Sequence, residues 1–201
     1  PNQKVLEAGC GAGRVYFHYK KQGINISGIE YSKSAVENII KKDSGATVKH
    51  GSITELPYSD SEFNVVLAFG LYHNFENEND IIKAFSETKR VLKKGGKLLA
   101  SVRFDSLENN LIEKIVKQRS TKQFDKFHRM HFTVEDIRKF LEPEMKITQI
   151  YYVRNVSFLF KFDLFRANEF KTNKFVESKA RSAGFKLNIF GKITDAILHN
   201  M

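Results

Sequence analysis

The feature that most constrains the fold is a short apolar stretch that runs directly into a glycine-rich turn. A strand predicted at 4–8 is followed by Gly9, Gly11 and Gly13. Short apolar runs of this kind are typical of buried parallel strands. Glycine lets the backbone turn sharply and approach a ligand, because it has no Cβ. A helix that begins after such a turn points its free N–H groups back at it. The stretch therefore predicts a strand–turn–helix unit that cradles a ligand.

The next predicted strand, at 24–29, indicates what kind of ligand this is. It ends on Glu30, and a carboxylate at that place can accept hydrogen bonds from both hydroxyls of a ribose. The glycines follow the pattern G-x-G-x-G, whereas dinucleotide-binding proteins use G-x-G-x-x-G. The spacing thus disfavours a nicotinamide oxidoreductase and favours another ribose-bearing cofactor.

Composition excludes several classes of protein. At 201 residues the chain is long enough for one domain with a sizeable core. No stretch is apolar over the length of a membrane helix, and no secretory leader is visible. Cys10 is the only cysteine, which excludes an intrachain disulfide and fits a reducing compartment, so we expect a cytoplasmic protein. The formal net charge of +10 permits RNA binding without requiring it.

Strands and helices alternate through the first half of the sequence, which predicts a doubly wound, mostly parallel α/β sheet with helices on both faces. Strands are predicted at 4–8, 24–29, 46–50, 63–69 and 97–104, and helices at 14–22, 33–42, 79–92, 107–119 and 134–141. Ser32 and Thr133 are the expected N-caps of the helices at 33–42 and 134–141. Gly95 and Gly96 are expected to end the helix at 79–92.

The end of the sequence has a different character, and we expect a core at 1–150 with an extension or substrate cap at 151–201. Strands are predicted at 146–154 and 156–162, the latter either completing the sheet or forming an insertion. Residues 174–200 show an amphipathic helical pattern. Phenylalanines interleave with lysines and arginines here. They fit core packing, the wall of a pocket for an apolar acceptor such as a quinone precursor or a lipid, or an RNA-binding surface.

Several segments together resemble class I S-adenosylmethionine (SAM)-dependent methyltransferases, with a domain of the type 11 kind. They are the glycine turn with Glu7 before it, Glu30, the segment 56–66 and the segment 90–99. The resemblance is good over 4–104 and loose over 105–150. It implies a Rossmann-like fold and an enzyme that transfers a methyl group from SAM to an oxygen, nitrogen or carbon atom by in-line displacement, leaving S-adenosylhomocysteine. Family members usually carry helices before the first strand, so we expect a fold that lacks terminal elements.

The resemblance also implies a cofactor site. Glu7 would face the ammonium end of SAM, and Glu30 the ribose. The other implied contacts lie in the glycine turn, after Glu30, after the third strand and at the end of the fourth strand: Gly9, Cys10, Gly11, Gly13, Tyr31, Ser52, Ile53, Phe69 and Gly70. Ser52 stands where the family often has an aspartate that reads adenine. Tyr31 would lie along adenine or pack against the helix at 33–42, and Cys10 is expected to be a small buried thiol.

Tyr72 and His73 are the candidate catalytic residues, because in the family the segment after the fourth strand passes the methyl group. Histidine titrates near neutral pH, so His73 would accept a proton from the methyl acceptor, or else cap or pack on the helix at 79–92. His128 and His131 form a second candidate pair, in a loop over the site or on a polar surface. No cluster of side chains has metal-binding spacing, so no metal is predicted.

The methyl acceptor is expected to be a small molecule. The alternative within the family is a tRNA-modifying methyltransferase, and the alternative from another class is a non-catalytic SAM-fold binding subunit. The sequence lacks an Asn/Asp-Pro-Pro-Tyr-like motif, which argues against methylation of an exocyclic base amine. It also lacks a thiol placed for pyrimidine C5 methylation, since Cys10 lies in the glycine turn.

Overall fold

The computed structural model describes residues 3–105, 110, 130–142, 145–152, 164 and 188–193. The chain divides into two compact units, Pro1–Thr148 and Gln149–Met201. In the second unit, the described residues include a helical turn at 189–193, where Gly191 N donates to Asn188 Oδ1 at 2.9 Å. No helix in the described ranges combines the length and the apolar character that crossing a bilayer requires.

The first unit contains a parallel sheet whose order reverses at its centre. Its strands are β1 (Lys4–Ala8), β2 (Asn25–Glu30), β3 (Val48–His50), β4 (Phe63–Phe69) and β5 (Leu92–Ser101). The spatial order is β3-β2-β1-β4-β5, and each neighbouring pair is parallel. The chain thus places β2 and β3 on one side of β1, and then β4 and β5 on the other side. In open α/β sheets, ligands bind beyond the carboxyl ends of the strands at such a switch point.

Helices cover both faces of this sheet, which confirms the predicted doubly wound fold. They are α1 (Arg14–Lys21), α2 (Lys33–Lys42), α3 (Glu78–Val91) and α4 (Val134–Leu141), with a 3₁₀ turn at Tyr72–Asn74. Ser32 caps α2 as predicted, since its Oγ accepts from Ala35 N at 3.4 Å. Thr133 and Asp136 form a reciprocal capping box at α4. The helix predicted at 107–119 lies outside the described residues, except that residue 110 is helical.

The buried apolar side chains form one cluster on each face of the sheet. Leu6 and Ala8 of β1 belong to the cluster that contains side chains of α3 and α4. Val5, which precedes Leu6 on β1, belongs to the cluster that contains Tyr16 of α1 and Ile39 of α2. Successive side chains of a strand point to opposite faces. The central strand is therefore apolar on both sides, which leaves Glu7 as a buried polar exception.

The third helix ends within one residue of its predicted end, but the predicted role of Gly95 and Gly96 in ending it is wrong. α3 ends at Val91 and β5 begins at once, so Gly95 and Gly96 lie inside a strand. Gly95 has a φ of 76°, and the register between β4 and β5 slips there, since Phe63 pairs with Leu92 but Val65 with Lys97. The two glycines thus lie at an irregularity of β5, where the strand has additional residues relative to β4 and the backbone at Gly95 requires a positive φ.

The strand predictions after β4 are less accurate. β5 ends at Ser101 rather than at 104, and beyond it only an isolated bridge joins Phe104 to Phe132 among the described residues. The strand predicted at 146–154 is wrong over the described residues 145–152, which have no regular structure, and Tyr151 and Tyr152 are exposed. A strand-like composition forms a strand only beside another strand, and none of the described strands pairs with this segment. The strand at 156–162 and most of the helix at 174–200 lie outside the described residues.

Candidate functional site

The glycine turn lies between the carboxyl ends of β1 and β2. Gly9, Gly11 and Gly13 all have positive φ, at 69°, 53° and 77°. The backbone N–H groups of Gly9 and Cys10 donate to the carbonyl of Ile29 at 2.9 and 3.1 Å. These bonds tie the turn to the end of β2 and hold it at the switch point of the sheet.

The three glycines are required for different reasons. A Cβ on Gly9 would lie 2.9 Å from the side chain of Leu71, and a Cβ on Gly13 would lie 2.9 Å from Phe17. A Cβ on Gly11 would meet nothing within 4 Å. Packing therefore explains the first and the last glycine. The middle one faces open space, as expected of a surface that a ligand approaches closely.

Glu30 stands beside this open surface at the end of β2. One carboxylate oxygen accepts from Gly11 N at 2.8 Å and the other from Ser32 N at 2.9 Å. A carboxylate has about four acceptor positions, so each oxygen can accept one more hydrogen bond. The two backbone bonds fix the orientation of Glu30 and leave it able to bind a pair of hydroxyls.

Glu7 lies on the other side of the turn and is only 5% exposed. Burial raises the pKa of its carboxyl to about 7, although the Tyr16 backbone N–H and the charge of Arg14 lower the pKa, while the charge of Glu30 raises it further. Its Oε2 atom is buried and has no hydrogen-bond partner among the described residues. Leaving a buried acceptor unsatisfied costs about 1–3 kcal/mol, more if it is charged. A positively charged donor on a bound ligand would satisfy it.

Cys10 and Ile53 turn inwards. The Cys10 side chain belongs to the cluster with α1 and α2, and burial raises the pKa of its thiol to about 12. It is thus the expected buried thiol, and only its backbone lines the turn. Ile53 lies in the other cluster, where it packs in the core behind the carboxyl ends of the strands.

Tyr31 and Ser52 flank the end of β2. The Tyr31 side chain is 78% exposed, and its carbonyl lies 2.9 Å from Nε2 of His50. This exposure leaves the ring able to cover a flat ligand and excludes burial against α2. The hydroxyl of Ser52 lies 2.8 Å from that of Thr54, in a local turn.

The end of β4 provides an exposed side chain and a second tight turn. Phe69 is 43% exposed. Gly70 has a φ of 70°, and its N–H donates to both the carbonyl and the hydroxyl of Ser101 at the end of β5, at 3.2 and 3.0 Å. The turn after β4 is thereby fastened to β5.

Tyr72 does not face a substrate site, so its prediction as a catalytic residue is wrong. Its side chain is fully buried, stacks on Phe85 at a ring distance of 4.2 Å, and places its hydroxyl 3.3 Å from that of Thr88. Burial also raises its pKa, which makes proton transfer at neutral pH harder. Tyr72 anchors the 3₁₀ turn on α3, because a large aromatic ring at this place completes the core.

His73 is half-buried next to the turn at Gly70, 3.6 Å from where a Cβ on that glycine would lie. Its carbonyl accepts from Met130 N at 3.0 Å, which brings the segment at 130–133 to the same end of the sheet. His131 belongs to this segment, whereas His128 lies outside the described residues. The structure therefore places His73 and His131 in neighbouring loops.

Comparison with known proteins identifies the family. A family model described as a methyltransferase domain matches residues 6–100, from the third residue of β1 to the last but one residue of β5. Residues 6–100 are a methyltransferase domain. The match covers every strand of the sheet as well as the glycine turn, Glu7 and Glu30. It agrees with the class I SAM-dependent methyltransferase fold implied by the sequence.

Solved structures of other proteins share the architecture of this domain. The PH0226 protein of Pyrococcus horikoshii superposes with a TM-score of 0.62 at 19% identity, over 77% of this chain and 78% of that one. A SAM-dependent methyltransferase of Methanosarcina mazei superposes with a TM-score of 0.60 at 17% identity, over 71% of this chain and 78% of that one. At such identities these likenesses show the fold alone.

Proteins that are related in sequence to the methyltransferase domain are named for different kinds of methyl acceptor. A mouse (Mus musculus) probable tRNA methyltransferase 9B is 31% identical over 114 residues, 57% of this chain and 25% of that protein. A ubiquinone/menaquinone biosynthesis C-methyltransferase of Rhizobium etli is 30% identical over 162 residues, 72% of this chain and 61% of that protein. The chain thus spans only a quarter of the length of the first relative.

Metal binding has no support in the described ranges of the methyltransferase domain. No group of three or more His, Cys, Asp or Glu side chains there is arranged to hold a metal ion.

Proposed function

We propose that this chain is a SAM-dependent methyltransferase. The observation that carries the proposal is the buried, unsatisfied Oε2 of Glu7 beside a turn with an open surface at Gly11. Glu30 lies close enough to raise the pKa of Glu7, so the two carboxylates flank one site. SAM carries an ammonium group at one end and a ribose diol towards the other. The ammonium group is a donor for the unsatisfied oxygen of Glu7, and the diol supplies donors for the remaining acceptor positions of Glu30.

The residues around the turn would hold the cofactor in the following way. Glu7 would accept from the ammonium group, Glu30 from the ribose hydroxyls, and Gly11 would allow the backbone to approach the ligand. Tyr31 and Ser52 are the proposed adenine contacts. The backbone at Gly9, Cys10, Gly13, Phe69 and Gly70 would line the rest, with Ile53 supporting the adenine side from the core.

Bound SAM would supply a methyl group on a sulfonium, which needs no further activation. The contribution of the chain is to hold the acceptor in line and to exclude water. His73 is a proposed proton acceptor, because its half-buried imidazole adjoins the turn after β4. We also propose a cytoplasmic enzyme, since its single cysteine is a free thiol. Residues 151–201 are proposed to be an extension or cap of the core.

The proposed acceptor is a small molecule with an oxygen, nitrogen or carbon nucleophile. Similarity to enzymes named for quinone biosynthesis supports this, as does the 72% of the chain that the match to the Rhizobium etli protein covers. A tRNA acceptor is the second candidate. It is favoured by the net charge of +10 and by similarity to a probable tRNA methyltransferase.

The test is calorimetric titration of the full chain with SAM and, separately, with NADH. We expect micromolar binding of SAM and no response to NADH. Absence of SAM binding would contradict the proposal, and NADH binding would favour an oxidoreductase.

Transfer of radiolabelled methyl groups then separates the acceptor classes. Demethylmenaquinol and bulk tRNA are the two probes, and binding to bulk tRNA is measured at two salt concentrations, since phosphate contacts weaken steeply with salt. Label on the quinol supports a small-molecule acceptor, and label on tRNA supports the second candidate. SAM binding without transfer to either favours a non-catalytic binding subunit.

A further inference from the structure

A groove of about 520 Å³ runs along α2 where that helix passes the glycine turn. Its described lining residues are Ala12, Ser34, Ala35, Asn38, Lys41 and Lys42. The four polar side chains among them are exposed. Ala12 belongs to the glycine turn, so the groove borders the proposed cofactor site. The other five residues have no role in holding the cofactor, and the groove therefore suits a separate ligand.

The polar side chains of the groove select for an anion. Two of them, Lys41 and Lys42, carry ammonium groups, which have three donors each and no acceptor. The amide of Asn38 and the hydroxyl of Ser34 supply further donors. No acidic side chain is among the described lining residues. The groove thus combines two positive charges with neutral donors, a set that makes charge-assisted hydrogen bonds to a phosphate.

The acidic residues nearest in sequence leave this positive charge uncompensated. Asp43 follows Lys42, but its carboxylate accepts from Nζ of Lys20 and from Gly45 N. Glu37 is exposed one turn before Lys41 and does not line the groove. Within the part of the chain that the structure describes, neither Lys41 nor Lys42 forms an ion pair. Both ammonium groups are thus available to a ligand.

The distribution of charge around the groove favours a ligand with many phosphates. Arg14 begins α1 and Lys33 begins α2, and both are exposed. A nucleic-acid backbone repeats its negative charge along its length, so one strand can contact the groove and such flanking cations together. The formal net charge of +10 attracts a polyanion of this kind. Similarity to a probable tRNA methyltransferase favours RNA over an acidic protein as the partner.

We propose that the groove along α2 binds the phosphate backbone of an RNA, with Lys41 and Lys42 as its main contacts. The inference goes beyond the proposed function, because it assigns a partner to a surface outside the cofactor site. It does not depend on SAM binding. RNA bound in the groove would pass the glycine turn at Ala12, so confirmation would favour tRNA, the second candidate acceptor.

The first measurement is binding of bulk tRNA to the full chain over a range of salt concentrations. Lys41→Gln/Lys42→Gln is compared with Lys93→Gln/Lys94→Gln, which removes an adjacent pair of exposed lysines from β5. Both variants lower the net charge of +10 by two. Each phosphate contact contributes about 0.7–0.9 to the slope of log K against log salt concentration. The first variant should therefore lose about 1.5 of the wild-type slope, and the control should keep the wild-type slope.

Two results of this measurement would overturn the proposal. An equal loss of slope in the two lysine variants would show that binding follows net charge and not the groove. Absence of tRNA binding by the wild type would exclude RNA as the partner. Poly-L-glutamate is the probe for an acidic protein partner, and its binding in place of tRNA would likewise overturn the proposal.

The second measurement uses a substitution that should have the opposite effect. Glu37→Gln removes the negative charge one turn before Lys41, whereas Glu135→Gln removes an exposed negative charge from α4. A carboxylate beside the groove repels phosphate, so Glu37→Gln should strengthen tRNA binding about twofold at low salt. Glu135→Gln changes the net charge equally and should have a smaller effect. Equal effects of the two substitutions would contradict binding in the groove.

SAM titration separates this inference from the proposed function. Both lysine variants should bind SAM with wild-type affinity in the calorimeter, because neither pair is among the proposed cofactor contacts. Loss of SAM binding in Lys41→Gln/Lys42→Gln alone would place this pair in the cofactor site and overturn the inference. Failure of the wild type to bind SAM would contradict only the proposed function, since tRNA binding is measured without SAM.

Discussion

Replacing Glu7 with glutamine should stabilise the folded chain at alkaline pH while it weakens cofactor binding. The carboxyl of Glu7 has its pKa raised from 4.5 to about 7, chiefly by burial. A pKa difference of one between the folded and unfolded chain corresponds to about 1.4 kcal/mol, so ionising Glu7 in the folded chain costs at most about 3 kcal/mol. Residual contact with water makes about 2 kcal/mol a better expectation. A neutral glutamine of similar shape avoids this cost.

The direction of the pH dependence follows from where the proton is held more tightly. The folded chain binds the proton of Glu7 more strongly than the unfolded chain, because the folded-state pKa is the higher one. The stabilisation from that proton is complete below pH 4.5 and is lost as the pH rises through about 7. Wild type should therefore lose stability relative to Glu7→Gln over this interval.

Urea unfolding at pH 5 and at pH 8 measures the effect. The free energies of unfolding of wild type and Glu7→Gln should be similar at pH 5, and the variant should be more stable by about 2 kcal/mol at pH 8. Glu37→Gln, at an exposed position on α2, is the matched control and should show no such difference. The reasoning is refuted if the difference between wild type and Glu7→Gln is the same at both pH values.

Four further predictions concern the turn and the core. Glu30→Ala should weaken SAM binding by about 1–3 kcal/mol in the calorimeter, because it leaves ribose hydroxyls unpaired, and an unchanged affinity would contradict the ribose assignment. Gly11→Val should abolish SAM binding, because its side chain would occupy the open space at the turn, and it should also lower the melting temperature followed by circular dichroism, because a φ of 53° strains a β-branched residue. Gly13→Ala should lower the melting temperature because it combines a φ of 77° with a Cβ 2.9 Å from the ring of Phe17. Tyr72→Phe should lower stability by about 1 kcal/mol in urea unfolding through loss of its contact with Thr88, and SAM affinity should not change; a large loss of affinity would show that the tyrosine acts in the site.

The sheet and the glycine turn could be predicted from the sequence because their signals are local. A buried parallel strand is a short apolar run, and a turn with positive φ requires glycine, so β1, β2 and the turn lie where the pattern indicated. The same reasoning from a local pattern gave a wrong prediction at Gly95, which lies inside β5 and does not end α3. Glycine with positive φ serves both to end a helix and to interrupt a strand, and only the pairing of β5 with β4 distinguishes the two.

The errors in the site have a different cause, since they depend on contacts between distant parts of the chain. Tyr72 and His73 are adjacent, and nothing in the sequence indicates which of them faces the core. The packing of α3 decides it, because Phe85 and Thr88 receive the ring and the hydroxyl of Tyr72. The hydrogen bonds between the backbone at 103–105 and residue 132 could not be predicted for the same reason, since they join segments that are far apart in the sequence.

Glu7 and Glu30 differ in how completely their oxygens are satisfied before a ligand binds. Glu7 keeps a buried oxygen without a partner among the described residues and so retains an unfavourable energy that a cationic ligand would relieve. Both oxygens of Glu30 already accept backbone hydrogen bonds, so its carboxylate is oriented before any ligand binds. The Glu7→Gln and Glu30→Ala variants should therefore differ in kind. The first should lose affinity but gain stability at alkaline pH, whereas the second should lose affinity without a gain in stability, because it leaves Gly11 N and Ser32 N without their acceptor.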